Sequence, residues 1–257
     1  TDPLVSQRHA RIVLGVRPHD LKLGSSGISG RVQVVERLGT ETHVVVGIDA
    51  PRLVFVNGAF RADLSAIGDT AGLALLPLAT HPAELAALRQ GDEGARAAAF
   101  LPPNPALVAD GALVRVDAGV QVEAPVHLVF IGAPADGDVA WQARLRVELG
   151  EGAALAVVEH HVGAGTHAHL GNLVADHVLA AGTRLDLLQV QDAAPGSTLV
   201  RRDAFRLGQA ALLCTHALEI GAQMLRHDFR VDLAGPGARL ISRGTFALTG
   251  RQHADTR

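Results

Sequence analysis

Apolar and polar residues alternate with a period of two through much of the second half of the chain. In residues 144–149, Leu145, Val147 and Leu149 are interleaved with Arg144, Arg146 and Glu148. In residues 228–233, Phe229, Val231 and Leu233 are interleaved with Asp228, Arg230 and Asp232. Successive side chains of a strand point to opposite faces, so each tract predicts a strand with one buried and one wet face. Residues 31–37 and 42–46 predict two further strands around a turn at Leu38, Gly39 and Thr40. Residues 51–60 predict a hairpin, because Asn57-Gly58 tolerates the positive φ angles of a two-residue loop. Helical character is confined to residues 80–100, where Pro82 can open a helix and residues 83–90 are mostly good helix formers. A proline-rich break at residues 101–105 ends it, and everything beyond reads as strand.

A loose repeat runs through those later strands. The tracts 147–155, 205–213, 218–225 and 231–240 each read as a strand end, a glycine turn and a strand start. Many short strands with glycine turns fit a stacked β-solenoid, in which each coil covers its neighbour's apolar face. A sandwich or a barrel has the same periodicity.

The composition narrows the function classes. The chain has 257 residues, 48% of them hydrophobic, enough for a large core, and a net charge of only −3 with both signs interspersed. That balance gives no long-range field for nucleic acid or an anionic membrane. No apolar run reaches the roughly 18 to 20 residues of a membrane span, and a cytoplasmic location is expected. The single cysteine, Cys214, excludes a disulfide or a multi-cysteine zinc site within one chain. Lys22, the lone lysine, follows no phosphate-cradling glycine loop, so ATP hydrolysis by this sequence is excluded.

Several tracts, in order, resemble the SufD family. Pro51-Arg-Leu-Val-Phe-Val-Asn-Gly-Ala-Phe60 is similar to the family's opening strand pair, and residues 110–120 with 123–128 to the first part of its β-helix. Residues 171–176 and 185–189 resemble successive coils. Residues 226–238, then Gly250-Arg-Gln-His-Ala-Asp255, resemble the run holding the family's glycine and Gln-His-x-Asp signatures. The resemblance implies a mainly β protein: a right-handed parallel β-helix preceded by a short helical/β cap. It also implies a non-catalytic scaffold subunit of iron-sulfur cluster assembly. Its partners would be a SufB-like β-helix subunit and a SufC-like ABC ATPase, with a transient iron-sulfur cluster at the level of the complex and no cofactor held firmly by this chain. The family's later Cys-x-His-Gly segment and ATPase-docking helices have no counterpart before Arg257, so the β-helix is expected to be incomplete.

The first segment resembles something different. Gly15-Val-Arg-Pro-His-Asp-Leu21 and the tract from Gly30 to His43 are similar to the TOBE domain of ABC importer ATPases, a small OB-type β-barrel. The expected division is residues 1–50 as an incomplete OB-like segment, 51–105 as a cap with one or more helices, and 106–257 as the β-helix. The other readings kept open are a carbohydrate-active β-helix enzyme and a TOBE-type accessory module of an ABC transporter.

Candidate chemistry is sparse. His160, His161, His167 and His169, close to Glu159, could gather to bind iron or zinc, although adjacent His160 and His161 on a strand face opposite ways. Cys214 and His216 share a strand face and could hold a soft metal, although apolar neighbours favour a packing role for the thiol. Asp192, Arg201, Arg202 and Asp203 read as a solvated or interface face. Gln252, His253 and Asp255 could supply His and carboxylate ligands, and the resemblance implies that they are mainly structural and line coil corners.

Overall fold

The computed structural model describes residues 10–12, 28–38, 41–47, 50–90 and 103–257. It divides into two compact units, residues 1–50 and 51–257. In the first, β1 (Ala10–Ile12), β2 (Ile28–Leu38) and β3 (Glu41–Gly47) form an antiparallel sheet in that order, with a bulge between Val32 and Val34. The hairpin expected around residue 39 is therefore the pair β2 and β3. The Gly15 to Leu21 motif lies outside the described residues.

The second unit is a parallel β-solenoid of about five turns. One sheet contains β4 (Arg52–Val56), β5 (Ala59–Phe60), β8 (Val126–Gly132), β10 (Ala154–Gly163), β12 (Arg184–Asp192), β14 (Leu212–Glu219) and β16 (Arg239–Phe246). The facing sheet contains β6 (Leu73–Pro77), β7 (Asp110–Val116), β9 (Ala140–Leu149), β11 (Leu170–Leu179), β13 (Thr198–Leu207), β15 (Met224–Leu233) and β17 (His253–Thr256). From β7 onward consecutive strands alternate between the sheets and pair in parallel with the strand one coil away. Among the described residues of this unit, antiparallel pairing is confined to the start, between β4 and β5, between β6 and β7 and at the Arg52–Ala66 bridge. The β4–β5 hairpin turns at Asn57 and Gly58, with φ of 50° and 79°, as expected of that dipeptide. β4 also pairs in parallel with β8, so the cap's first strand is part of the solenoid wall.

Helix α1 (Pro82–Gln90) stands where the helix-forming run lies. The proline-rich break is itself partly helical: α2 (Pro103–Leu107) starts on Pro103, and Pro105 falls within its first turn. Prolines are tolerated there because first-turn amides have no intrahelical partner. Asn104 on α2 is fully buried and donates to the carbonyls of Ala143 and Asn172, 3.0 and 3.3 Å away, fixing the helix over β9 and β11.

One corner repeats in every coil. Gly119, Gly152, Gly182, Ala210 and Gly237 all have φ between 54° and 75°. The amide of Gly119 donates to Glu151, Gly152 to Ala181, Gly182 to Gln209 and Ala210 to Pro236, each at 2.8 to 2.9 Å. The left-handed conformation turns the chain from one sheet to the other, and the hydrogen bonds stack the corners. Between the sheets the core is built from in-register rungs such as Leu149, Leu179 and Leu207 on one side and Leu155, Leu185 and Leu213 on the other.

Candidate functional site

Part of the solenoid's interior is polar. Along β10 the inward positions run Leu155, Val157, Glu159, His161; along β12, Leu185, Leu187, Gln189, Gln191; along β14, Leu213, Thr215, Ala217, Glu219. Parallel in-register pairing aligns Glu159 with Gln189 and Ala217, and His161 with Gln191 and Glu219. The facing strands supply Arg201 and Asp203 from β13, His177 from β11 and His227 from β15. All of these polar residues are buried, and Ala217 is half-buried.

Arg201 is the hub. Its Nη2 donates to Glu159 Oε2 at 2.9 Å and to Asp203 Oδ1 at 2.8 Å, its Nε to Asp203 Oδ2 at 2.5 Å, and its Nη1 also bonds Glu159 Oε1. His161 Nε2 lies 2.5 Å from Glu159 Oε1. His177 and His227 reach Asp203 at 3.2 and 2.7 Å through their Nε2 atoms, and Gln189 Nε2 reaches it at 3.3 Å. Burial alone would raise the carboxyl of Glu159, but the charge of Arg201 and the His161 hydrogen bond overturn this and lower it to about 2. Burial likewise opposes ionisation of Asp203, yet Arg201 and the two histidines hold it well below the usual carboxylate range. Arg201 stays charged because both carboxylates outweigh its own desolvation. Two cavities flank the network. One of about 20 Å³ lies among Phe130, Trp141, His161, His167 and Leu199; one of about 10 Å³ lies among His161, Gln191, Leu199, Glu219 and His227. Each has room for about one water.

The solvated reading of Arg201 and Asp203 is corrected: they are 4% and 0% exposed. They fall in phase with Leu199, Phe205 and Leu207, all buried, so the alternation of β13 itself marks them as inward. The adjacent Asp192 is exposed, as read, and Arg202 is half-buried on the outer face. His177, Gln189, Glu219 and His227 carry the same in-phase signal, and the sequence reading missed them.

The six candidate metal ligands do not gather at one place. His161 points inward to Glu159, stacked on Phe130 at 4.9 Å. His160 points outward and meets His127, Nδ1 of His127 lying 3.2 Å from Nε2 of His160. Burial, with His160 and Arg52 nearby, lowers His127 to about 4. Burial and the charge of His161 lower His160. His167 and His169 stack at 4.1 Å before β11. His169 accepts the Val139 amide at 3.1 Å through Nδ1 and bonds the Ala133 carbonyl at 2.8 Å through Nε2, as one neutral tautomer does, tying two loops together. Cys214 and His216 do share the outer face of β14: Cys214 is buried, and His216 is exposed with Arg243 Nη1 at 3.5 Å. Among the described residues no group of three or more His, Cys, Asp or Glu is arranged to hold a metal ion. Gln252 holds a corner, donating to the Ala222 carbonyl at 2.9 Å and accepting the Thr249 amide at 2.7 Å.

The strand order and the buried network define the second unit as a parallel β-solenoid with ionised groups enclosed between its sheets. Residues 130–257 match the family model described as SUF system FeS cluster assembly, SufBD core domain, and residues 14–82 match the TOBE domain model. An iron-sulfur cluster assembly SufBD family protein of Synechocystis is 24% identical over 217 residues, covering 80% of this chain and 48% of that protein. One from Mycobacterium tuberculosis is 30% identical over 148 residues, 56% of this chain and 35% of the relative. The iron-sulfur cluster assembly protein SufD of Escherichia coli is 24% identical over 213 residues, 82% and 48% respectively. The chain belongs to the SufBD family. It spans about half the length, or less, of these curated relatives. The TOBE match reaches residue 82, whereas residues 51–82 supply β4 to β6 of the solenoid unit.

Proposed function

We propose that the chain is a scaffold subunit of an iron-sulfur cluster assembly complex and carries out no catalysis of its own. The observation that supports this best is the SufBD core match lying on the solenoid strands from β8 onward. A SufB-like β-helix subunit and a SufC-like ATPase are its partners, and the ATPase supplies the hydrolysis for which this sequence has no phosphate-binding loop. The cluster is cargo of the complex, held transiently, and the setting is cytoplasmic. No helix among the described residues is long and apolar enough to cross a membrane. The carbohydrate-enzyme alternative needs two carboxylates open to a sugar. Glu159 and Asp203 are instead enclosed and clamped on Arg201. Co-expression of the full chain with the SufB-like and SufC-like proteins of the same organism tests the reading. One complex should elute from gel filtration, and separate elution of this chain would refute it.

A further inference from the structure

Among the described residues, Arg201 is the one guanidinium bonded into the network, and the carboxyl groups of Glu159, Asp203 and Glu219 are all buried there. His227, 3% exposed, sits between Asp203 and Glu219. Its Nε2 is 2.7 Å from Asp203 Oδ2 and its Nδ1 is 3.4 Å from Glu219 Oε1. Both nitrogens of this ring therefore face carboxylate oxygens. A neutral imidazole has one N–H and one lone pair, so it would set a lone pair against one carboxylate. Asp203 cannot relieve this by taking a proton, since Arg201 and His177 already bond it.

Glu219 extends the network to the last strand. It accepts the Thr256 hydroxyl at 3.3 and 3.2 Å through its two oxygens, and Thr256 on β17 pairs in register with His227 on β15. The polar groups around His227 are Arg201 and Asp203 from β13, Glu219 from β14, Gln189 and Gln191 from β12, His161 from β10 and Thr256 from β17, with Glu159 and His177 one bond further away on Arg201 and Asp203.

We propose that His227 is carried as an imidazolium and acts as a proton-operated latch: with its proton, it holds Asp203 and Glu219 together and so keeps β17 docked through Thr256. On losing the proton the ring keeps its shorter bond to Asp203. The longer contact to Glu219 becomes a lone pair against a carboxylate, and the Glu219–Thr256 contact is freed. Burial works against the charged ring, but the hydrogen bonds to Asp203 and Glu219 raise its pKa above the usual 6.5. A raised histidine contributes stability fully present below pH 6.5 and lost as pH rises through its folded value, so the latch opens on the alkaline side.

The test uses the full chain. Nitrogen-15 NMR of the ring at pH 6.5 should show a proton on both nitrogens of His227; a single protonated nitrogen there overturns the proposal. Amide exchange of residues 253–257, corrected for intrinsic rates, should lose protection about tenfold per pH unit above the ring's midpoint, as release of one proton requires. Thr256→Val should remove that pH dependence from β17 while leaving the ring titration in place. If Thr256→Val keeps the dependence, or the wild-type protein lacks it, the latch is refuted. The wild-type ring measurement stands even if His227→Gln fails to fold. Where His227→Gln does fold, pH-dependent protection persisting in it also refutes the proposal.

Discussion

Replacing Arg201 with methionine isolates what the interior network does. Methionine fills similar space without charge, and its introduction strips four nitrogen–oxygen contacts from two carboxylates that are both 0% exposed. Removing one member of a buried ion pair costs about 3–5 kcal/mol, because the other charge is left without compensation. For a unit of this size each kcal/mol moves the melting temperature by about 2–4 °C, so the fall expected is roughly 6–20 °C. Circular dichroism melts and urea titrations at pH 7 read it directly. The pH profile gives a second signature. Glu159 has a lowered folded pKa, so its contribution is complete above its ordinary 4.5 and is lost as pH falls through about 2. Arg201→Met should flatten that acid limb. Adding Glu159→Gln and Asp203→Asn to Arg201→Met removes the stranded charges and should recover at least half of the loss. An Arg201→Met protein within about 1 kcal/mol of wild type, or a triple variant no better than the single, refutes the network as a stabilising clamp.

Three further outcomes are expected. Ala210 occupies the left-handed corner that glycine takes in the neighbouring coils, so Ala210→Gly should raise stability by up to about 1 kcal/mol while Gly152→Ala lowers it by a similar amount; urea midpoints in the opposite order would contradict the corner assignment. Cys214 is buried, and burial together with the nearby Asp186 raises its thiol pKa; a thiol reagent at pH 8 should label it slowly until denaturant is added, and rapid labelling of the folded chain would show the outer face of β14 to be open. His127 has a lowered folded pKa of about 4, so it stabilises the neutral-pH protein and that stability is lost as pH falls from 6.5 through 4; His127→Leu should be less sensitive to acid over that window, and an unchanged melting profile would refute the assignment.

Much of the fold is legible in local pattern. The alternation in residues 144–149 is β9, the Asn57-Gly58 dipeptide is the turn between β4 and β5, and the residues after Pro82 are α1. The glycine tracts at 147–155, 205–213 and 231–240 are the stacked corners. The helix at Pro103 escaped that reading because proline breaks helices in their interior yet is accepted in their first turn. The candidate site was harder. Histidines close in sequence pointed to residues 160–169, but His160 and His161 lie on opposite faces, and His169 ties two loops together with His167 stacked on it. Arg201 and Asp203 looked solvated because charge is ordinarily a surface property, and their phase with Leu199 and Phe205 carried the opposite message.

The sequence by itself determined the strands, their inward faces and their corners, because each depends on a residue and its near neighbours. It also carried enough ordered resemblance to point to the family. Only the tertiary structure decided which inward residues meet. The parallel register aligns Glu159 with Gln189, and closure of the two sheets brings Arg201 between Glu159 and Asp203, partners 42 and 2 residues away along the chain. Contacts of that kind arise from the stacking of whole coils, so no local pattern specifies them.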